Sequence, residues 1–173
     1  MNIIVCPLSR VNEMIEIHAP ERIVSLLGPE ISFPEPGPAY VGRHLRLAFH
    51  DIDMARDGLI EPSAGHIDDL LTFLADWERT SGILVHCHAG ISRSSAAAYI
   101  AACLHNSSTD ERQIALALRR VSPVARPNQT LIRLADDALG RSGRMNAAIA
   151  DTAHGLPEID VDENEPFELP SVY

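Results

Sequence analysis

Two side chains with complementary chemistry, Cys87 and Arg93, are separated by five residues in the segment Val85-His86-Cys87-His88-Ala89-Gly90-Ile91-Ser92-Arg93-Ser94. A short apolar run over residues 83–86 ends at the cysteine, a loop with a central glycine follows, and an alanine-rich stretch begins at Arg93. A strand that turns through such a loop into a helix aims successive backbone N–H groups and the positive helix end at one point. The result is an anion-sized cradle. Arg93 can close it with a planar fork suited to paired bonds with phosphate oxygens. Cys87, at its floor, lies in a positive field that favours thiolate over thiol. A thiolate facing a bound phosphoryl group is a nucleophile in place. The binding atoms in this reading are the backbone of His88, Ala89, Gly90, Ile91 and Ser92 together with the Arg93 guanidinium; the His88 side chain is expected to face outward.

The elements that must position this loop follow from periodicity. Apolar runs alternate with amphipathic stretches, the βαβ pattern of a parallel sheet covered by helices. Strands are expected over residues 3–6, 22–27, 43–49 and 83–86. A short helix fits residues 10–18, stopping before Pro20, and residues 31–42 carry too many prolines to be regular. Pro62-Ser63 opens a helix with Ile67, Leu70, Leu71, Leu74 and Trp77 on one face, closed by Ser81-Gly82. Further helices are expected over residues 93–105, from Asp110 to the Arg119-Arg120 pair that suits a helix C-terminus, over residues 129–139, and over residues 145–154. The fold class is therefore α/β, a doubly wound, largely parallel sheet flanked by helices, with the site at the carboxyl ends of the strands.

The chain has 173 residues and a formal net charge of −10, and all fourteen of its basic residues are arginine. The acidic balance argues against nucleic-acid binding, which needs a basic face. No apolar run is long enough to span a membrane. Three cysteines at irregular spacing give neither a disulfide framework nor a zinc pattern, which suits a reducing cytoplasm. No histidine pair has metal-ligand spacing, and neither a metal nor another cofactor is implied. Residues 155–173 carry acids and prolines without a base and are expected to be a disordered tail after a single domain over residues 1–154.

The filling His86-Cys87-x5-Arg93-Ser94 resembles the signature loop of the protein tyrosine and dual-specificity phosphatases, the dual-specificity group especially. Pro127-Asn128 is similar to the motif that supports the loop in that group, and the resemblance covers roughly residues 43–135. It implies a metal-independent phosphomonoester hydrolase that works through a phosphocysteine intermediate. The substrate would be a phosphorylated protein, phosphotyrosine first and phosphoserine or phosphothreonine with it, or a small phosphoester. It also implies that Ser94 stabilises the departing sulfur, beside its plain role as a helix N-terminal residue, and that His86 and Asn128 support the loop.

The same resemblance implies an aspartic acid that protonates the leaving oxygen. Three residues compete. Asp57 has the nearest spacing to the cysteine. Asp51 has the better context, because it follows the strand pattern Leu47-Ala48-Phe49-His50 directly, and loop insertions are cheap; it is preferred on that ground. Asp53 lies between them. A rival reading is an adaptor that binds phosphorylated protein without cleaving it, against which both Cys87 and Arg93 stand intact. The absence of lysine makes a 3-phosphoinositide substrate a weaker fit.

Overall fold

The computed structural model describes residues 1–153 and 160–173. Its central strands bury both faces, so their residues alternate between two cores rather than between core and water. β1 (Asn2–Pro7) sends Ile3 and Val5 to the larger core and Ile4 and Cys6 to the smaller one. β2 (Arg22–Leu27) does the same with Val24 and Leu26 against Ile23, and β4 (Ile83–Cys87) with Ile83, Val85 and Cys87 against Leu84. Adding β3 (His44–Ala48) and β5 (Phe167–Pro170) gives a five-stranded sheet in the order β3-β2-β4-β1-β5. The first four strands pair in parallel, and β5 runs antiparallel along β1.

α1 (Val11–His18) covers the smaller core with Val11 and Met14 and ends on Ala19 in the left-handed conformation, φ 40°. The larger core is roofed by α2 (Ala64–Ala75), α3 (Arg93–His105), α4 (Glu111–Val121), α5 (Gln129–Ala138) and α6 (Arg144–Ala153). α3 is the central one. It is buried from Arg93 through Cys103, and its run of alanines lets the sheet and three neighbouring helices, α2, α4 and α5, approach it closely. Polar caps set the entrances: Ser63 and His66 form a capping box on α2, Asp110 accepts from Arg112 N, and Asn128 accepts from Leu131 N.

The expected α/β sheet is present, with corrections in detail. β3 is one residue shorter at each end than residues 43–49. α2 ends at Ala75, so Trp77 lies beyond it, buried in the following turn with its Nε1 donating to Ser81 O. The acidic tail is the larger correction. Residues 155–159 lie outside the described residues, but residues 160–173 are not a disordered appendage to a domain ending at 154. Phe167 and Leu169 alternate inward from β5, Asn164 is buried, and Asn106 holds both Ser171 O and Tyr173 N. Charge counted over the whole stretch concealed a four-residue, period-two strand that closes the β1 edge.

Candidate active site

The segment after β4 folds around Cys87 because its carbonyl oxygens are taken from outside. His88 O accepts from Leu8 N at 3.0 Å, Ala89 O from Asn164 N at 2.8 Å, Ile91 O from Arg126 N at 2.9 Å and Ser92 O from Asn128 N at 3.4 Å. Gly90 O accepts from Asn164 Nδ2 at 3.2 Å. In a trans peptide the N–H points opposite to the carbonyl it adjoins. Outward carbonyls at 88–92 therefore turn the N–H groups of Ala89, Gly90, Ile91, Ser92 and Arg93 inward. One of these already shows the direction: Gly90 N donates to Cys87 Sγ at 3.3 Å. The geometry requires glycine there. Its φ is +74°, and a Cβ would sit 2.9 Å from Pro7 N and 3.1 Å from Cys6 C, both strand backbone.

Ser94, in the first turn of α3, sets its Oγ 3.1 Å from Cys87 Sγ. Arg93 is buried and anchored through Nη1 to Phe49 O at 2.9 Å, while its Nε has no hydrogen-bond partner. That nitrogen remains available to an acceptor oxygen in the cradle. Burial pushes the thiols of Cys6 and Cys103 up to about 12.

Of the three aspartates, the fold brings one to this place. Asp51 lies with Oδ2 3.6 Å from Arg93 Nε, while its Oδ1 accepts from Ser92 Oγ at 2.7 Å and from Asn128 Nδ2 at 3.0 Å. Asp53 is a helix cap, its Oδ1 accepting from Gln129 N and Thr130 N at the start of α5. Asp57 is exposed in a turn, without a polar partner among the described residues. His50, Glu30, Gly28, Ile31 and His88 join Asp51 and Arg93 around a cavity of about 240 Å³. His88 presents an exposed side chain, as expected, and only its backbone belongs to the cradle.

His86 is fully buried, its Nε2 2.5 Å from Ser25 Oγ and its Nδ1 3.5 Å from Cys87 O. Burial pushes its imidazole down to about 4, so it is neutral at physiological pH. Asn128 holds the loop twice, by its backbone N on Ser92 O and by its side chain on Asp51. Asn164, Phe49 O and Ser25 were not anticipated from the sequence. Asn164 is isolated in an acidic stretch, Phe49 acts through its backbone, and Ser25 interrupts the apolar run of residues 23–27, the single signal of the three that was readable. Among the described residues, no group of three or more His, Cys, Asp or Glu is gathered as metal ligands would be, and no helix is long and apolar enough to cross a membrane.

No model of a known protein family matches the chain, and no curated protein does. Solved structures do. DUSP15 superimposes with a TM-score of 0.59 at 16% identity over 90% of this chain and 92% of that one. The Yvh1 phosphatase domain from Chaetomium thermophilum gives 0.58 at 20% identity over 83% and 98%. PTPMT1 in complex with PI(5)P gives 0.57 at 10% identity over 82% and 88%. The chain has the fold of the protein tyrosine and dual-specificity phosphatases.

Proposed function

We propose that this chain is a cysteine-dependent phosphomonoester hydrolase acting on phosphotyrosine in proteins, with phosphoserine and phosphothreonine as further substrates, through a phosphocysteine intermediate. The observation that carries the reading is the outward pinning of five successive loop carbonyls around Cys87 Sγ, which leaves a ring of N–H groups above a thiol. Preorganised donors of this kind stabilise charge on the equatorial oxygens of a transferring phosphoryl group without reorganising during the reaction.

In the first step the Cys87 thiolate attacks phosphorus and the ester P–O bond breaks. The phosphate dianion takes Arg93 Nε and sets negative charge against Asp51. Asp51 Oδ1 is held by Ser92 and Asn128, so Oδ2 is the oxygen left to carry the proton. Asp51 gives this proton to the leaving oxygen. In the second step the Asp51 carboxylate takes a proton from water as its oxygen attacks phosphorus. The P–S bond breaks and the electrons return to sulfur, with the Ser94 hydroxyl, 3.1 Å away, donating to the departing thiolate. Inorganic phosphate leaves. No cofactor enters this cycle. Three free cysteines and a thiolate nucleophile suit a reducing cytoplasm.

The test is hydrolysis of p-nitrophenyl phosphate without added metal, followed by a panel of phosphotyrosine, phosphoserine and phosphothreonine peptides with PI(5)P as a separate arm. Release of phosphate from phosphotyrosine peptides, abolished in Cys87→Ser, is the expected result. Binding of phosphopeptide without turnover would leave the adaptor reading standing instead.

A further inference from the structure

On the sheet face opposite the larger core, four polar residues form a row across three adjacent strands. In register, Ser25 of β2 lies beside His86 of β4 on one side and Arg46 of β3 on the other. The side chains connect in sequence. Arg46 Nε is 3.3 Å from His44 Nδ1, His44 Nε2 is 2.7 Å from Ser25 Oγ, and Ser25 Oγ is 2.5 Å from His86 Nε2. His86 Nδ1 then faces Cys87 O at 3.5 Å. At the outer end Arg46 is itself held by Glu35, Nη2 to Oε2 at 2.9 Å.

The chemistry of the two ends decides the direction of the links between them. A guanidinium Nε can only donate. His44 Nδ1 must therefore be the acceptor, and its proton sits on Nε2. That Nε2–H donates to Ser25 Oγ. At the other end Cys87 O can only accept, so His86 carries its proton on Nδ1; its neutral ring leaves Nε2 as an acceptor, and the serine proton goes there. Burial keeps both rings neutral, His44 and His86 each pushed down to about 4, so neither has a second proton to blur the order.

We infer that Ser25 and His44 are positioning residues, linked into a one-way relay from Arg46 that fixes the His86 tautomer and through it the seating of Cys87. The inference deepens the phosphatase reading and rests on it for its meaning. Its geometry does not depend on turnover. Ser25 and His44 touch neither substrate nor sulfur; they act through His86.

The experiment is long-range proton–nitrogen NMR of the histidine side chains in the uniformly ¹⁵N-labelled full chain at pH 7.5, paired with the iodoacetate alkylation rate of Cys87. Wild type should show His86 protonated on Nδ1 and His44 on Nε2. Ser25→Ala and His44→Phe should each shift the His86 tautomer ratio by roughly five- to tenfold, the effect of one ordinary hydrogen bond, and change the Cys87 alkylation rate by at least twofold. His44→Gln, whose amide nitrogen can still donate to Ser25, should retain the wild-type values of both. A wild-type His86 protonated on Nε2 overturns the relay, as does a tautomer unmoved in both disrupting variants. A tautomer that moves while Cys87 reactivity stays constant overturns the positioning role. None of these readouts uses hydrolysis, so a wild-type protein that fails to turn over phosphoester would refute the function without touching this result.

Discussion

Replacing Asn164 with alanine removes one side chain of the C-terminal segment that the cradle uses directly. Its Nδ2 donates to Gly90 O at 3.2 Å and to Ser122 Oγ at 2.8 Å, and the residue is buried, so water cannot take over either bond freely. Two lost bonds of ordinary strength, one leaving a buried carbonyl unsatisfied, cost about 2–3 kcal/mol. For a domain of this size each kcal/mol lowers Tm by roughly 2–4 °C, so the fall should be roughly 4–12 °C. The backbone bond from Asn164 N to Ala89 O remains, so the loop should loosen rather than collapse. The peptide that loosens is the one whose carbonyl belongs to Gly90 and whose N–H belongs to Ile91. A misaligned donor should lower kcat/KM by about tenfold, well short of removing an oxyanion donor outright. Asn164→Asp should be worse, because a carboxylate would face Gly90 O without a donor and add negative charge beside an anion site. Calorimetry and steady-state kinetics on p-nitrophenyl phosphate read both effects. A Tm within 1 °C of wild type, together with unchanged kcat/KM in both variants, would refute the claim that this segment shapes the cradle.

Arg93→Lys keeps the charge but loses the fork and the anchor on Phe49 O; kcat/KM should fall by about 10² to 10³, read by the same assay. Asp51→Asn should lower kcat by about 10² to 10⁴ on phosphotyrosine, whose leaving group is basic, and less on a substrate with an acidic leaving group. Asp57→Asn should leave the rate unchanged, and Asp53→Asn should lower Tm through loss of the α5 cap with little change in kcat. Burial holds His44 and His86 at about 4 in the folded chain against 6.5 as the ordinary value, so between those pH values the unfolded chain binds protons that the folded one does not. Their contribution is therefore complete above pH 6.5 and is lost as pH falls toward 4, by up to about 1.4 kcal/mol per pH unit for each ring. His66 and His105 are shifted the same way, whereas Glu21 and Glu111, lowered from 4.5, lose their contributions only below that value. Urea unfolding at pH 5.0–6.5 should accordingly show a shallower slope of stability against pH in His44→Gln than in wild type; equal slopes would mean that His44 takes a proton in the folded state.

The parts legible in the sequence are those whose signal is local. A strand, a glycine loop and a helix start are contiguous from Ile83 to His105, so Cys87, Arg93 and Ser94 and their mutual geometry could be read from order alone. Asp51 was favoured by its place after a strand, and the fold puts it beside Arg93 because Phe49 O, two residues earlier in the same exit, anchors that arginine. Spacing favoured Asp57, which lies exposed in a turn. The remaining contributors are long-range. Asn164 lies 74 residues from the carbonyl it holds, and its surroundings are acidic, which describes solvation and not pairing. Ser25 is in register with His86 and His44 lies on the same face one pair away, and registry is set by the whole sheet.

The central claim is covalent, so the direct measurement is covalent too. Mixing the full-length protein with ³²P-labelled phosphotyrosine peptide, quenching in acid within milliseconds and mapping the labelled peptide should place one phosphate on Cys87. The label should be acid-stable as a thiophosphate and, with ³²P-labelled p-nitrophenyl phosphate, whose acidic leaving group needs little proton help, should accumulate when Asp51→Asn slows its hydrolysis. The label should be absent in Cys87→Ser. Turnover by wild type with no label on Cys87, or label that persists in Cys87→Ser, would contradict the account.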